Sequence, residues 1–235
     1  MDAGTTALLE RAAALVAERL RAPRRTAVED VFLQLVVPAV SAAEAGNYGV
    51  AAALLVTEGD RELTVVARNS MLTDGDPCAH AETNVLAGFR MGPSRSRDVG
   101  FAMRTRSNGA PPGPATLLCT TVEPCPMCTV AILNAGIDQV VWAVADDGGG
   151  AFDESRAERL PPVFVQARSR MKAGPVSTDP ASELFVAGSV VDILGEAFRT
   201  GRDELDARLV DTGVLDVGRG WERAVSALDM GGRSP

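Results

Sequence analysis

Cys78-Ala79-His80-Ala81-Glu82-Thr83-Asn84 and, further along, Glu123-Pro124-Cys125-Pro126-Met127-Cys128 decide how this chain reads. His80 is its only histidine. One neutral imidazole and two thiolates are ligands that zinc favours, and three protein ligands leave the fourth tetrahedral position open. An open position marks a catalytic site, because the metal lowers the pKa of water there toward about 7. Taken singly the signals are weak, since redox and structural zinc motifs share Cys-x-x-Cys. In this order, with Pro124 before the first cysteine, they predict Zn2+ held by His80, Cys125 and Cys128. A closed site would need a fourth ligand, for which Cys78, Cys119 or a carboxylate are the choices. Two core cysteines without metal are the other alternative.

Helical geometry agrees with the open site. Cys125 and Cys128 are three apart and share one face of a helix beginning near Pro126. Proline suits a first helical position, where no backbone N–H is needed. A thiolate at a helix N-terminus is stabilised by the dipole and by unpaired N–H groups. His80 is expected to open a second helix, from Ala79 to about Phe89. Glu82, two residues on, is turned by roughly 200° on an ideal helix and so leaves the face of His80. That suits a proton carrier better than a ligand.

The bulk of the chain narrows the class. It has 235 residues, and 46% of them are hydrophobic, which is ample material for a core. No run of 18 apolar residues exists, so no transmembrane helix is expected. Met1-Asp2-Ala3-Gly4 lacks a basic n-region and an apolar signal core, which predicts a cytoplasmic protein. Four cysteines then read as metal and core thiols rather than disulfides. A net charge of −8 argues against bulk nucleic acid as the main partner. One segment runs the other way. Residues 90–106 carry Arg90, Arg95, Arg97, Arg104 and Arg106 against Asp98 alone, either a phosphate site or a solvated loop.

Outward from the motifs, hydrophobic periodicity predicts helices over residues 5–20 and from about Val28 to Glu44. Strands are predicted at Val50 to Val56, Glu62 to Arg68, Leu117 to Thr121 and Gln139 to Val144, with a short one at Val163 to Gln166. The cysteine helix is expected to end near Gly136, and Met91 to Pro114 reads as a polar connection. The tail from Pro180 reads helical over 182–199, about 202–210 and 219–228. The order α-β-β-α-β-α-β predicts an α/β fold: an α-β-α sandwich around a central mixed sheet. The zinc site would lie at the N-termini of two helices, with an extra N-terminal helix and a helical C-terminal tail.

Over about residues 28–170 the chain resembles the cytidine deaminase superfamily, and most of all its guanine deaminase and tRNA adenosine deaminase branch. Asp76-Pro77-Cys78-Ala79-His80-Ala81-Glu82 resembles that branch's Asp-Pro-x-Ala-His-Ala-Glu. Glu123-Pro124-Cys125-Pro126-Met127-Cys128 resembles its Glu-Pro-Cys-x-Met-Cys. Asn69 falls where the family places a substrate-binding asparagine. Ala151-Phe152-Asp153-Glu154-Ser155 resembles a segment of guanine deaminases that caps the pocket, often from a neighbouring subunit. The chain departs from the family at Gly46-Asn47-Tyr48-Gly49-Val50-Ala51, at Asn134, and in a longer link between the two motifs.

The resemblance implies three segments: an N-terminal helical extension (1–27), a zinc deaminase core (28–170), and a helical tail (171–235) packed on the core or a partner subunit. It implies a zinc-dependent hydrolytic deaminase of a purine base or nucleoside, most like guanine deaminase. Glu82 would be the catalytic residue, with Asn69, the Ala81 backbone N–H, Glu154 and Asp153 at the substrate. A homodimer and a small-molecule nucleobase or nucleoside are the implied partners, without a membrane. A cytosine or deoxycytidylate deaminase is the alternative, because Asn84 follows Glu82 by two and the arginines could hold a phosphate. A tRNA adenosine deaminase fits the acidic balance poorly. A metal-bound interaction module without activity would leave Glu82 unexplained.

Overall fold

The computed structural model describes residues 3–21, 26–91, 99–105, 116–176, 190–203 and 205–207. Strands β1 (Ala51–Glu58) and β2 (Arg61–Arg68) form an antiparallel hairpin. Its turn needs Gly59, whose φ of 61° is left-handed. Strand β3 (Val99–Thr105) pairs antiparallel with β2. On the other side β4 (Thr116–Val122) pairs antiparallel with β1. Then β5 (Gln139–Val144) and β6 (Lys172–Pro175) continue in parallel. The result is a six-stranded mixed sheet in the order β3-β2-β1-β4-β5-β6.

Helices cover both faces. Those described are α1 (Ala3–Arg19), α2 (Ala27–Glu44), the single turn α3 (Met71–Asp74), α4 (Ala81–Met91), α5 (Pro126–Ala135), α6 (Pro162–Arg168) and α7 (Val190–Arg199). Thr26 caps α2 in a reciprocal box with Glu29, which satisfies N–H groups that the helix start leaves unpaired. Successive side chains of β1 point to opposite faces. Ala51, Ala53 and Leu55 pack with Leu8 of α1, Phe32 and Val36 of α2, and Leu194 of α7. Ala52 and Leu54 pack with Ala81 and Val85 of α4 and with Ile132 of α5. Burial on both faces explains why Val50–Val56 reads as one apolar run.

The α/β sandwich is the expected one, with differences in detail. Val163 to Gln166 lies in helix α6, not in a strand. A strand parallel to β5 needs a crossover, and α6, begun by Pro162, belongs to it. The stretch Met91 to Pro114 is not all connection, since its apolar Val99–Met103 joins the sheet edge as β3. Strand β6 and helix α7 both fall within 171–235, and both pack on the sheet. Arg95, Arg97, Asp98 and Arg106, the expected helix at 219–228, and parts of those expected at 182–199 and 202–210 lie outside the described residues.

Candidate metal centre and active-site cavity

Two helix starts bring the motifs together. Cys125 is the N-cap of α5 and Pro126 its first residue, so Cys128 falls inside the first turn. Helix α4 begins at Ala81, not Ala79, so His80 precedes it. Because His80 is not helical, the 100° rule does not separate it from Glu82, and both border one cavity. The ligand atoms of His80, Cys125 and Cys128 lie within 4.8 Å of one another. His80 Nδ1 and Cys125 Sγ are 3.7 Å apart. Tetrahedral zinc with bonds of about 2.0 Å to nitrogen and 2.3 Å to sulfur sets that edge at roughly 3.5 Å. The donor set and its spacing therefore fit zinc.

Strand register settles the fourth ligand. Cys119 is buried among Ala53, Leu117 and Val141, on the face covered by α1, α2 and α7. Its neighbour Thr120 points to the other face and donates to Glu82 Oε1 at 2.9 Å. Cys78 is exposed and does not join the cluster. Among the described residues, the group close enough to share a metal ion is His80, Cys125 and Cys128.

The electrostatics are those of a buried polar site. The hydrogen bond from Cys128 and then that with His80 hold the Cys125 thiol down to about 4, against its burial. That same bond with Cys125, together with burial, pushes the Cys128 thiol well up. Burial lowers the affinity of His80 for a proton, but Cys125, Glu82 and Asp76 together outweigh it and the net shift is upward. Burial raises the carboxyl of Glu82, and the charge of Cys125 adds to this. Cys128 Sγ donates to its Oε2 at 3.4 Å. A carboxyl raised this way holds a proton more readily than an ordinary glutamate, which suits a group that takes and returns one.

Asn69 borders the same cavity, its Oδ1 accepting from Met71 N at 3.1 Å. Ala81 is buried at the first position of α4, where its N–H has no acceptor within the helix. Asp153 and Glu154 do not border this cavity. Asp153 caps the 3-10 helix Glu154–Arg159 by accepting from Ser155 N, and the bond from the Ser155 hydroxyl, then this one, holds its carboxyl below the ordinary value. Glu154 is exposed, beside a second hollow lined by Val165 and Arg168.

Sequence reasoning missed the cavity's other wall. The space measures about 250 Å³ and is bordered by Tyr48, Asp146, Phe198, Arg202 and Asp206 as well as the motif residues. Tyr48 donates its hydroxyl to Asp206. Arg202 bonds Asp146 Oδ1 at 3.1 Å, and its guanidinium carbon lies 4.4 Å from the centre of the Phe198 ring. Glu123 of the second motif places Asp146. Its buried carboxylate accepts from the N–H groups of Asp146, Phe152 and Asp153 and pairs with Arg156 at 2.6 Å. Gly150 has to be glycine here, since a Cβ would fall 2.5 Å from the Glu123 carboxyl carbon. Tyr48 lies in the segment that departs from the family pattern. No local signal marks Phe198, Arg202 or Asp206.

Comparison with known proteins agrees with this geometry. The cytidine and deoxycytidylate deaminase zinc-binding region matches residues 27–144. The chain belongs to that family. It is 32% identical over 161 residues to the chloroplastic tRNA(adenine(34)) deaminase of Arabidopsis thaliana, which covers 62% of this chain and 11% of that protein. It is 26% identical over 120 residues to a probable cytosine deaminase of Schizosaccharomyces pombe, covering 51% of this chain and 62% of that one. A solved guanine deaminase from Nitrosomonas europaea superposes with a TM-score of 0.47 at 18% identity, covering 75% of this chain and 88% of that one. The chain thus spans 11% to 62% of the length of the curated relatives it matches. Among the described residues no helix is long and apolar enough to cross a membrane.

Proposed function

We propose that the chain is a hydrolytic deaminase of a purine base or nucleoside, most like guanine deaminases. One observation carries the chemistry: the buried carboxyl of Glu82 accepts from Thr120 and lies beside the three metal-ligating side chains. Zinc held by His80, Cys125 and Cys128 would supply a Lewis acid and an activated water. Glu82 takes a proton from the attacking water as an O–C bond forms at the amine-bearing carbon, C2 in guanine. It passes that proton to the ring nitrogen. It then takes the second proton, from the hydroxyl now on that carbon, and delivers it to the amine as the C–N bond breaks, leaving the carbonyl and ammonia. Asn69 and the N–H of Ala81 are assigned to hold the base.

The purine reading rests on the two motif segments and on the use made of Asn84. That side chain donates to Arg68 O, Ser70 Oγ and Ala79 O, so it serves the fold and gives no support to the deoxycytidylate alternative. Asp153 and Glu154 belong to the proposal only as groups offered to a second copy of the chain, since neither borders its own cavity. An ammonia-release screen across guanine, guanosine, adenosine, cytosine, cytidine and deoxycytidylate tests the reading. Turnover confined to the three pyrimidines refutes it.

A further inference from the structure

The wall built by Tyr48, Asp146, Arg202 and Asp206 has no part in the metal chemistry, yet it borders the same cavity. Its parts come from three places: the loop before β1, the turn after β5, and the helical residues that follow α7. They are joined into one chain of bonds. Tyr48 donates to Asp206, Arg202 bonds Asp206 at 3.5 Å, and Arg202 bonds Asp146 at 3.1 Å. The N–H groups of Gly148 and Gly149 also donate to Asp146 Oδ1, at 3.2 and 3.0 Å. Asp146 and Arg202 are mostly withdrawn from solvent, with side chains 10% and 26% exposed.

The charge balance decides what such a wall can accept. Arg202 is the one arginine among the described residues bordering the cavity, and two carboxylates already engage it. Two carboxylates against one guanidinium leave an excess negative charge. Glu123, which also borders the cavity, is taken up by Arg156. A phosphate would therefore find a cation already neutralised and two acids facing it. A neutral group bearing hydroxyl or amino donors would find acceptors, since a carboxylate offers about four lone-pair sites and Asp206 commits two of them. Phe198, beneath the guanidinium, holds the cation in place.

We propose that Tyr48, Asp146, Arg202 and Asp206 form a subsite that takes the sugar hydroxyls of an unphosphorylated nucleoside and rejects a 5′-phosphate. The subsite deepens the purine reading, and it would select a nucleoside over both the free base and the nucleotide. The C-terminal tail of the same chain would then set substrate choice, with the helix-borne metal site left unchanged.

Calorimetric binding to the zinc-loaded Glu82→Gln chain tests this without turnover. The ligands are guanine, guanosine and guanosine 5′-monophosphate, with cytosine, cytidine and cytidine 5′-monophosphate as a parallel series. The nucleoside is expected to bind more tightly than the base, and the monophosphate at least about tenfold more weakly than the nucleoside. Asp206→Asn, which removes one charge but keeps an acceptor for Tyr48, is expected to narrow that ratio by about threefold or more. In the chain that retains Asp206, raising salt from about 50 mM to about 500 mM should also narrow it, since screening weakens repulsion. A monophosphate that binds within tenfold of the nucleoside overturns the proposal. So does a ratio that neither salt nor Asp206→Asn changes. If only the pyrimidine series binds, the purine reading fails, and the nucleoside-to-nucleotide ratio within that series still decides the subsite.

Discussion

Gly49→Ala tests how the tail comes to wall the cavity. Gly49 is not glycine for the sake of an unusual φ, because its backbone is not in the left-handed region. It is glycine because α7 lies against it: a Cβ there would sit 2.1 Å from Ala197 O and 2.4 Å from Ala197 C. Carbon-to-carbonyl-oxygen contacts settle at about 3.3–3.6 Å, so the end of α7 must retreat by roughly 1 Å. The obstacle is helix backbone, which cannot rotate aside as a flexible side chain would. Retreat loosens Ile193, Leu194, Ala197 and Phe198, all of them buried. Overpacking of this kind costs about 1–3 kcal/mol, and the rigid obstacle argues for the upper half of that range. Gly174→Ala is the control, because no atom lies within 4 Å of its built Cβ. Its effect should stay within about 0.5 kcal/mol. Urea denaturation followed by circular dichroism, with zinc bound in both variants, gives the comparison. A second readout is KM, which should rise for Gly49→Ala because Phe198 and Arg202 border the cavity. If Gly49→Ala matches the control in both stability and KM, α7 does not lie where this argument puts it.

Three further outcomes follow from the site. Glu82→Gln should retain zinc by metal analysis and lose about 10²–10⁴-fold in turnover, since an amide cannot carry the proton; turnover within tenfold of the parent chain would assign the proton to another group. Glu123→Gln should cost about 3 kcal/mol in urea denaturation, because it breaks a pair whose carboxylate is fully buried and whose guanidinium is 18% exposed. An unchanged midpoint would mean that the loop from Asp146 to Arg156 is held by other contacts. Alkylation of the folded, zinc-loaded chain at about pH 8 should label exposed Cys78 and spare Cys119, whose thiol burial pushes up to about 12; mass spectrometry showing Cys119 labelled as fast as Cys78 would contradict its place in the core.

The metal ligands were legible because their placement is local. Pro126 starts a helix one residue after Cys125, and two helix starts facing each other suffice to gather His80, Cys125 and Cys128. Whether Cys119 could join them as a fourth ligand was not legible. It depended on which face of β4 carries Cys119, and a strand's facing is fixed only by its register with its neighbours. The same limit explains the error at Val163 to Gln166. Four residues rich in valine and phenylalanine suit a short strand as well as a buried helix, and only the need for a crossover into β6 decides. β3 was hidden for a related reason. An edge strand only seven residues long, inside a long polar connection, gives little periodicity to read.

The division between what was legible and what was not follows a division in the molecule itself. His80, Glu82, Cys125 and Cys128 sit on or beside the starts of α4 and α5, which pack on one face of the sheet. Arg202 and Asp206 follow α7, most of whose apolar side chains pack on the other face, while Phe198 alone turns to join the cluster around α4 and α5. Gly201, with a φ of 70°, provides the reversal by which the chain leaves α7 and brings Arg202 to the cavity. The catalytic wall and the tail wall therefore rest mainly on opposite faces of the sheet and meet through Phe198 and through the bond from Asp146 N to Glu123. Loosening α7 should weaken substrate binding while zinc stays bound, and damage at Cys125 should release zinc while the Tyr48–Asp206 and Arg202–Asp146 links persist. A variant of α7 that lost zinc in proportion to its loss of binding would show that the two walls are one unit.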